Sequence, residues 1–366
     1  MTVVRAGRYG TVPALELTNE RLILVVAPGF GGRVLSLVDR STGRDWLEPG
    51  LPHAAAYGGE ASYGAEVASG WDECLPTVAP CRDPTSRSVT LRDHGDVWGR
   101  PCEASVGNGT VTLIFDGRRA GATTWPYRFV RRVALTGSAA TVHYEIRNDS
   151  PAPLPFLWSM HPLLALEPGG RLSIPDVPLV EATFADGPGM TGMVPAGQRV
   201  RVPWPEARLP DGSGYRLDVV PGLQAREALK LYAGPLVRGR AAASGADGSW
   251  IGLGWEVRDA PYLGIWLSHG GWPNPEAGVR QVSLEPTCAP ADDLASAMAF
   301  GRAWTVPSGV SRAWSVRLQV GRDVSELRRF LASDAPGYRH VSEVACRISL
   351  GPARSRPETA GKVKTA

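Results

Sequence analysis

The segment Thr141-Val142-His143-Tyr144-Glu145-Ile146 decides the fold class, because its polar and apolar side chains alternate with a period of two. That period is typical of a β-strand with one buried face. Ser315-Val316-Arg317-Leu318-Gln319-Val320 has the same alternation. Further predicted strands are residues 21–26, 89–92, 110–115, 128–135, 216–220, 250–257 and 262–267. The chain has 43 glycines and 32 prolines spread between such segments, which indicates many turns joining many strands.

Helical patterns are sparse. Residues 323–331 place their apolar side chains on one side, and Asp323 followed by Glu326 is typical of a capping box. A second short helix is predicted over residues 292–300. Strands do not alternate with helices, so we predict an all-β fold, a large antiparallel β-sandwich with few short helices. We expect residues 1–350 to form a single domain and residues 351–366 to form a disordered basic tail.

Composition excludes several functional classes. The net charge is only +3, without a block of basic residues inside the predicted fold, so we expect no nucleic-acid partner. No apolar run reaches the length of a membrane span, and the first residues lack the apolar centre of a secretory signal, so a cytoplasmic protein is predicted. An odd number of cysteines fits reduced thiols there. The five are Cys74, Cys81, Cys102, Cys288 and Cys346.

Two distant motifs could supply an acid and a base. Glu285 lies in Ser283-Leu284-Glu285-Pro286-Thr287, and His161 follows the apolar run Pro155-Phe156-Leu157-Trp158. A carboxylate and an imidazole at the edges of strand-like segments can move two protons if the fold brings them together. A purely structural role is the alternative: Glu285 as a surface carboxylate before a proline turn, and His161 as a buried histidine bonded to backbone. His94, in Asp93-His94-Gly95-Asp96, could equally be a turn residue.

Six motifs follow one another along the chain. They are Leu15-Glu16-Leu17-Thr18-Asn19 with the turn Pro28-Gly29-Phe30-Gly31-Gly32, Gly70-Trp71-Asp72-Glu73-Cys74, Asp93-His94-Gly95-Asp96, Tyr144 to His161-Pro162, Leu284-Glu285-Pro286-Thr287, and Val306-Pro307-Ser308-Gly309. Their order, over roughly residues 15–321, resembles the galactose mutarotase-like (aldose 1-epimerase) superfamily. The sequence departs from the best-known galactose mutarotases, since their second arginine and aspartate sugar contacts have no clear equivalent. Trp71-Asp72-Glu73 is a candidate replacement for part of that site.

The resemblance implies a supersandwich fold and a cofactor-independent isomerase that interconverts the anomers of a hexose or hexose derivative. It implies that Glu285 is the base at the anomeric hydroxyl and His161 the acid at the ring oxygen, with His94 binding a hydroxyl or sharing the acid role. The expected partner is a small sugar, and the protein is expected to be a monomer or homodimer. Predicted substrate-binding residues are Trp71, Glu73, Asp96, Trp98, Trp266, Trp272, Arg33 and Lys230. Of the four tryptophans, we expect one or two to touch the sugar, since most tryptophans in a large β-protein are core.

Two other functions stay open on such a scaffold. One is a non-catalytic carbohydrate-binding protein. The other is a lyase or glycoside-processing enzyme, and a lyase acting on a uronate would be favoured by Lys230 or Arg33 in the groove. A metal set assembled from Cys74, Cys81, His94 and Cys102 lacks paired Cys-x-x-Cys spacing, so no metal is predicted.

Overall fold

The computed structural model describes residues 1–50, 62–85, 89–119, 125–274, 276 and 278–333. These residues all belong to one compact unit, Met1–Pro336. The predicted basic tail and Cys346 lie outside the described residues, so the boundary of the single domain at residue 350 stays a prediction. Within the described part of the chain, no helix is long and apolar enough to cross a membrane.

Strands make up most of the regular structure. In the first half of the chain they are β1 (Val3–Tyr9), β2 (Val12–Thr18), β3 (Leu22–Ala27), β4 (Arg33–Asp39), β5 (Arg44–Asp45), β6 (Trp71–Cys74), β7 (Cys81–Arg82), β8 (Thr90–Leu91), β9 (Glu103–Gly107), β10 (Thr110–Asp116), β11 (Tyr127–Thr136), β12 (Ala139–Asn148), β13 (Leu154–Phe156), β14 (Ser159–Leu164), β15 (Arg171–Ser173) and β16 (Leu179–Asp186). The remaining strands are β17 (Val200–Pro203), β18 (Glu206–Arg208), β19 (Gly214–Arg216), β20 (Ala228–Ala233), β21 (Arg240–Ser244), β22 (Trp250–Trp255), β23 (Tyr262–Trp272), β24 (Val279–Thr287), β25 (Trp304–Val306) and β26 (Ser311–Gly321). The helices are α1 (Leu294–Ala299), α2 (Val324–Ala332) and a 3₁₀ turn at Pro28–Phe30.

Two large sheets contain most of these strands. The first has the order β1-β2-β3-β4-β6-β14-β24-β23-β20-β16-β17, with β5 paired to β4, and the second has the order β15-β21-β22-β26-β12-β11-β10-β9. Neighbouring strands run antiparallel in both. The prediction of an all-β antiparallel sandwich with few short helices is therefore confirmed.

The core lies between the two sheets. Tyr144 on β12 and Trp314 on β26 are register partners whose rings stack with centroids 5.2 Å apart. Trp158, which precedes β14 of the first sheet, packs edge-on against both rings, at 5.2 Å from Tyr144 and 4.9 Å from Trp314. The alternating segments of the sequence thus form the central strand pair of the second sheet, and their apolar faces cover the first sheet.

One predicted strand is wrong. Of residues 216–220, only Arg216 belongs to a strand, and Val219 makes just an isolated bridge with Arg171. Asp218 accepts two bonds from the Arg216 guanidinium, at 2.8 and 2.7 Å, within a turn. Leu217 and Val220 are buried there by tertiary packing rather than by a ladder. Buried residues in a turn can produce the same apolar pattern as a strand, which is why residues 216–220 were predicted as one.

Both predicted helices are confirmed. Asp323 caps α2 by accepting hydrogen bonds from the backbone of Ser325 and Glu326, and Asp293 caps α1 by accepting from Ser296.

Candidate active site

A cavity of about 290 Å³ opens on the face of the first sheet that is turned away from the second sheet. Strands β14, β16, β20, β23 and β24 carry part of its wall, and loops before β6 and around β8 complete it. Its lining residues are Tyr63, Val78, Ala79, Asp93, His94, His161, Phe184, Lys230, Trp266, Trp272, Gln281 and Asp292. The volume is near the lower end of the range for ligand sites, roughly 300–1,000 Å³, so it suits a small ligand.

His161 lies on β14, opposite Asp72 on β6. Its Nδ1 lies 2.7 Å from Asp72 Oδ1, and since the carboxylate can only accept, Nδ1 carries the proton of this bond. The second oxygen of Asp72 accepts from the buried guanidinium of Arg33. Burial raises the pKa of Asp72, but Arg33 and His161 outweigh burial and hold that pKa below its usual range. The anionic Asp72 therefore orients the imidazole and leaves Nε2 for other partners.

Glu285 lies on β24, the other neighbour of β14. The register that pairs Ser159 with Thr287 and Leu163 with Ser283 puts His161 opposite Glu285. Alternate residues of one strand share a face, so Glu285 points to the same side as Gln281 of the cavity wall.

The two oxygens of Glu285 differ in their partners. Oε2 lies 2.5 Å from Lys230 Nζ and accepts from Ser159 Oγ at 3.4 Å. Oε1 is buried without a hydrogen-bond partner among the described residues. Burial raises the pKa of Glu285, but Lys230 and His161 outweigh burial, so its pKa lies below the usual value. Glu285 is thus a carboxylate at neutral pH with one oxygen unsatisfied, which favours an incoming hydroxyl donor.

His94 reaches the cavity from a loop that is held against the end of β6. Gly95 has φ of 72°, and a Cβ there would meet the carbonyl oxygen of Leu75 at 2.0 Å, so only glycine fits. The His94 ring stacks on Tyr63 with centroids 3.6 Å apart, and its centroid lies 4.9 Å from that of His161. Its Nδ1 contacts Asp93 at 2.9 Å. Burial lowers the pKa of His94, which favours the neutral imidazole.

Aromatic side chains form one wall of the cavity. Trp266 packs edge-on to Trp272 with centroids 6.0 Å apart, and Phe184 stacks on Trp266 at 6.2 Å. Of the four tryptophans predicted to flank the site, these two line the cavity, and Trp71 and Trp98 do not. Trp266 and Trp272 present apolar faces of the kind that pack on the C–H groups of sugars.

Glu73 and Trp71 lie on the opposite side of the sheet. Successive residues of β6 point to opposite faces, so Asp72 faces the cavity and Glu73 faces the second sheet. Glu73 accepts from Trp71 Nε1 at 3.1 Å, Tyr144 Oη at 2.9 Å and Trp158 Nε1 at 3.0 Å. Burial raises its pKa to about 7. The structure therefore places these two predicted sugar contacts inside the sandwich.

Three further predicted sugar contacts are buried behind the cavity wall, where they bond to other residues of the protein. Asp96 pairs with Arg100 at 2.6 Å, and Trp98 is fully buried with its Nε1 donating to the carbonyl of Asp93. Arg33 is also fully buried, and it donates to Asp72 and to the Val67 carbonyl. These side chains hold the loops and Asp72 in place. The structure does not bring them to the cavity surface.

The site also contains residues that were not predicted as individual contacts, Asp72 having been named only within Trp71-Asp72-Glu73. Asp72 orients His161, Tyr63 supports His94, and Gln281 lines the cavity with a buried Oε1 that has no partner among the described residues. Gln281 could have been found from Glu285, since residues four apart on a strand share a face. Tyr63 lies in a segment without a strand or helix pattern and left no such signal.

This fold and cavity define the class of the protein, an all-β sandwich with a small polar and aromatic site. No protein-family model and no curated protein matches the sequence. Solved structures do match, and the chain has the galactose mutarotase-like fold that its motifs resemble.

Three similar structures illustrate the match. A galactose mutarotase-like protein from Clostridium acetobutylicum has a TM-score of 0.61 at 11% identity, with 88% of this chain and 99% of that chain covered. A galactose mutarotase related enzyme from Lactobacillus acidophilus has a TM-score of 0.60 at 15% identity, with 84% and 97% covered. A galactose mutarotase-like protein from Lactobacillus casei has a TM-score of 0.56 at 16% identity, with 84% and 100% covered. At these identities the likeness shows the fold.

Proposed function

We propose that the cavity binds a pyranose and interconverts its anomers by acid–base ring opening, the reaction of an aldose 1-epimerase. The observation that carries this proposal is the placement of His161 and Glu285 opposite each other on neighbouring strands and on one face. His161 has a ring nitrogen outside its bond to Asp72, and Glu285 has a carboxylate oxygen without a hydrogen-bond partner in the described part of the chain. A small sugar in the cytoplasm is the expected substrate.

The reaction needs two proton transfers. Glu285, kept anionic by Lys230, accepts the proton of the anomeric hydroxyl at Oε1 while His161 Nε2 protonates the ring oxygen. The bond between the anomeric carbon and the ring oxygen breaks as the carbonyl forms. Rotation about the neighbouring carbon–carbon bond exposes the other carbonyl face, and reversal of both transfers closes the ring. Asp72 stabilises the imidazolium that His161 must form to donate its proton.

The position of Glu285 adds a requirement to this mechanism. Its side chain is 1% exposed and lies behind the cavity wall, whereas Lys230, its ion-pair partner, is part of that wall. A hydroxyl therefore reaches Oε1 when Lys230 swings aside on its flexible stem. The ammonium group then stays within reach of a sugar hydroxyl, for which it is a donor.

The lyase alternative is supported by one feature only. Lys230 lines the cavity, as a uronate lyase would require, but its ammonium is already 2.5 Å from a carboxylate oxygen. Arg33, the other cation considered, is buried against Asp72. These two cations are thus already paired with internal anions, which disfavours an anionic substrate.

Relaxation of freshly dissolved α-glucose and α-galactose tests the proposal, followed by polarimetry or proton NMR. Wild type should accelerate at least one sugar, and Glu285→Gln should lose about 10²–10⁴-fold of that acceleration. Glu145→Gln, on the exposed face of β12, is the matched control and should behave as wild type. Saturable sugar binding with no faster exchange would identify a binding protein instead, and an unsaturated product from a uronate would identify a lyase.

A further inference from the structure

A buried thiol lies next to the two site imidazoles, behind the lining of the cavity. Cys74 Sγ, one ring nitrogen of His94 and one of His161 all lie within 4.8 Å of one another. Cys74 is two residues after Asp72 on β6, so it points to the cavity side of the sheet. The group brings together β6, β14 and the loop that carries His94.

Both imidazoles are oriented as metal ligands usually are. The Nδ1 of His161 contacts Asp72 at 2.7 Å, and the Nδ1 of His94 contacts Asp93 at 2.9 Å. Histidines that bind metals typically donate their second ring N–H to a carboxylate, which fixes the tautomer and leaves Nε2 as the ligand. Here the same arrangement occurs twice around one thiol.

The spacing suits a tetrahedral ion after a small contraction. Ligand atoms around zinc bound by one thiolate and two imidazoles lie about 3.3–3.6 Å apart, given bonds of about 2.3 Å to sulfur and 2.0–2.1 Å to nitrogen. The three atoms within 4.8 Å of one another must therefore close by roughly 1 Å. His94 can supply most of this movement, because it lies on a loop and its side chain is 16% exposed.

The set differs from the one considered on sequence spacing. Cys81 begins β7, where its sulfur contacts the Thr77 hydroxyl at 3.9 Å, and Cys102 lies in the surroundings of Arg131. Neither belongs to the group that the described residues form around Cys74. His161, distant in sequence, takes their place because β14 pairs with β6.

We propose that Cys74, His94 and His161 bind a divalent cation of the zinc class and that the bound ion switches off the sugar chemistry. Thiolate and imidazole ligands favour zinc over magnesium or calcium. On binding, the Cys74 thiol loses its proton to solvent as the sulfur–metal bond forms. The ion takes His161 Nε2, the atom that would carry the proton to the ring oxygen. The inhibition by the bound ion rests on the proposed function, whereas the metal site itself rests on the geometry of the three ligand atoms.

Cobalt(II) is the probe that tests the metal site without any activity assay. Chelator-treated protein titrated with CoCl₂ should bind one ion per chain, with intense visible bands of a tetrahedral site and a near-ultraviolet thiolate-to-cobalt band. Cys74→Ser should lose the thiolate band, and His94→Gln, a loop variant that spares the strands, should bind cobalt at least ten-fold more weakly. Cys81→Ser is the matched control and should keep the wild-type spectrum. An unchanged thiolate band in Cys74→Ser would overturn the site.

Zinc addition then tests the inhibition. One equivalent of ZnCl₂ should abolish accelerated anomer exchange by wild type, and chelator should restore it. Full activity with one cobalt or zinc ion bound per chain would overturn the inhibitory role. Metal-free protein that accelerates no sugar would instead contradict the proposed function, and the cobalt spectra would still decide whether the site exists.

Discussion

Glu73 and Glu285 are both buried carboxylates of the first sheet, yet they lie on its opposite faces. Glu73 points into the sandwich, where three N–H or O–H donors satisfy its oxygens and Arg131 approaches to 3.6 Å. Glu285 points to the cavity side, where Lys230 binds one oxygen and the other has no partner among the described residues. Burial raises both pKa values. At Glu73 the hydrogen bonds and Arg131 do not offset it and the pKa rises to about 7, whereas at Glu285 Lys230 and His161 outweigh burial and lower the pKa.

The difference indicates that the two faces of the first sheet have different roles: the face with Glu73 stabilises the sandwich, and the face with Glu285 is suited to chemistry. A buried carboxylate with complete hydrogen bonding contributes to the packing of two sheets and has no atom left for a ligand. One held anionic by a lysine, with an oxygen that has no partner among the described residues, is suited to accept a proton. Replacing each residue should therefore affect a different measurement.

The largest expected effect is on folding. Glu73→Ala leaves the Arg131 charge and the donors of Tyr144 and Trp158 inside the core, so we expect a loss of about 3–5 kcal/mol in the free energy of unfolding. Urea denaturation followed by tryptophan fluorescence measures it. Glu145→Ala, which removes a half-exposed pair with Arg132, should cost less than about 1 kcal/mol. Equal losses in the two variants would contradict this account of Glu73.

The next effect concerns the pH dependence of stability. The pKa of Glu73 is about 7 in the folded protein against 4.5 ordinarily, so the folded state holds its proton where the unfolded chain has lost it. The stabilisation that comes from this raised pKa is fully present below about pH 4.5. It is lost as the pH rises through 7, which lowers the free energy of unfolding by about 3 kcal/mol in total. Glu73→Gln cannot ionise, so its stability should fall less than that of wild type between pH 4.5 and 7.5. Parallel urea midpoints of the two proteins across this range would refute the assignment.

The sequence predicted the fold well because its evidence is local. The alternation in residues 141–146 and 315–320 is present in β12 and β26, and the predicted cap Asp323 lies where α2 begins. Each of these features depends on neighbours within a few residues, which the printed order of amino acids contains.

The site was predicted less completely, because pairing between distant strands decides which side chain faces the cavity. Trp71-Asp72-Glu73 was selected as a unit, yet only Asp72 points to the site, and a shift of one residue would reverse the faces. His161 and Glu285 were predicted from their motifs, but their alignment across β14 and β24 depends on register. Nothing in the residues around Tyr63 predicted that its ring would stack on His94.

A charge change at Lys230 tests the other carboxylate. Lys230→Met removes the cation that offsets burial, so the pKa of Glu285 should rise and the base should lose its charge at a higher pH. The acidic limb of kcat/KM for anomer exchange should accordingly move to higher pH. Arg132→Met, a cation on the second sheet, should leave the limb in place. An unmoved limb in Lys230→Met would show that a group other than Glu285 controls it.

The smallest expected effect is on KM, and it should differ between a tryptophan of the cavity face, Trp266, and one inside the sandwich, Trp71. Trp266→Ala removes an apolar wall of the cavity and should raise KM about 5–30-fold, from roughly 1–2 kcal/mol of lost contact, with kcat changed less. Trp71→Phe keeps a ring inside the sandwich but loses the bond from Nε1 to Glu73, so it should lower the urea midpoint and leave KM unchanged. Steady-state exchange kinetics and denaturation of both variants give the comparison. If Trp71→Phe raised KM as strongly as Trp266→Ala, the separation of the two faces would fail, because a residue bonded to the core carboxylate would then be contributing to sugar binding.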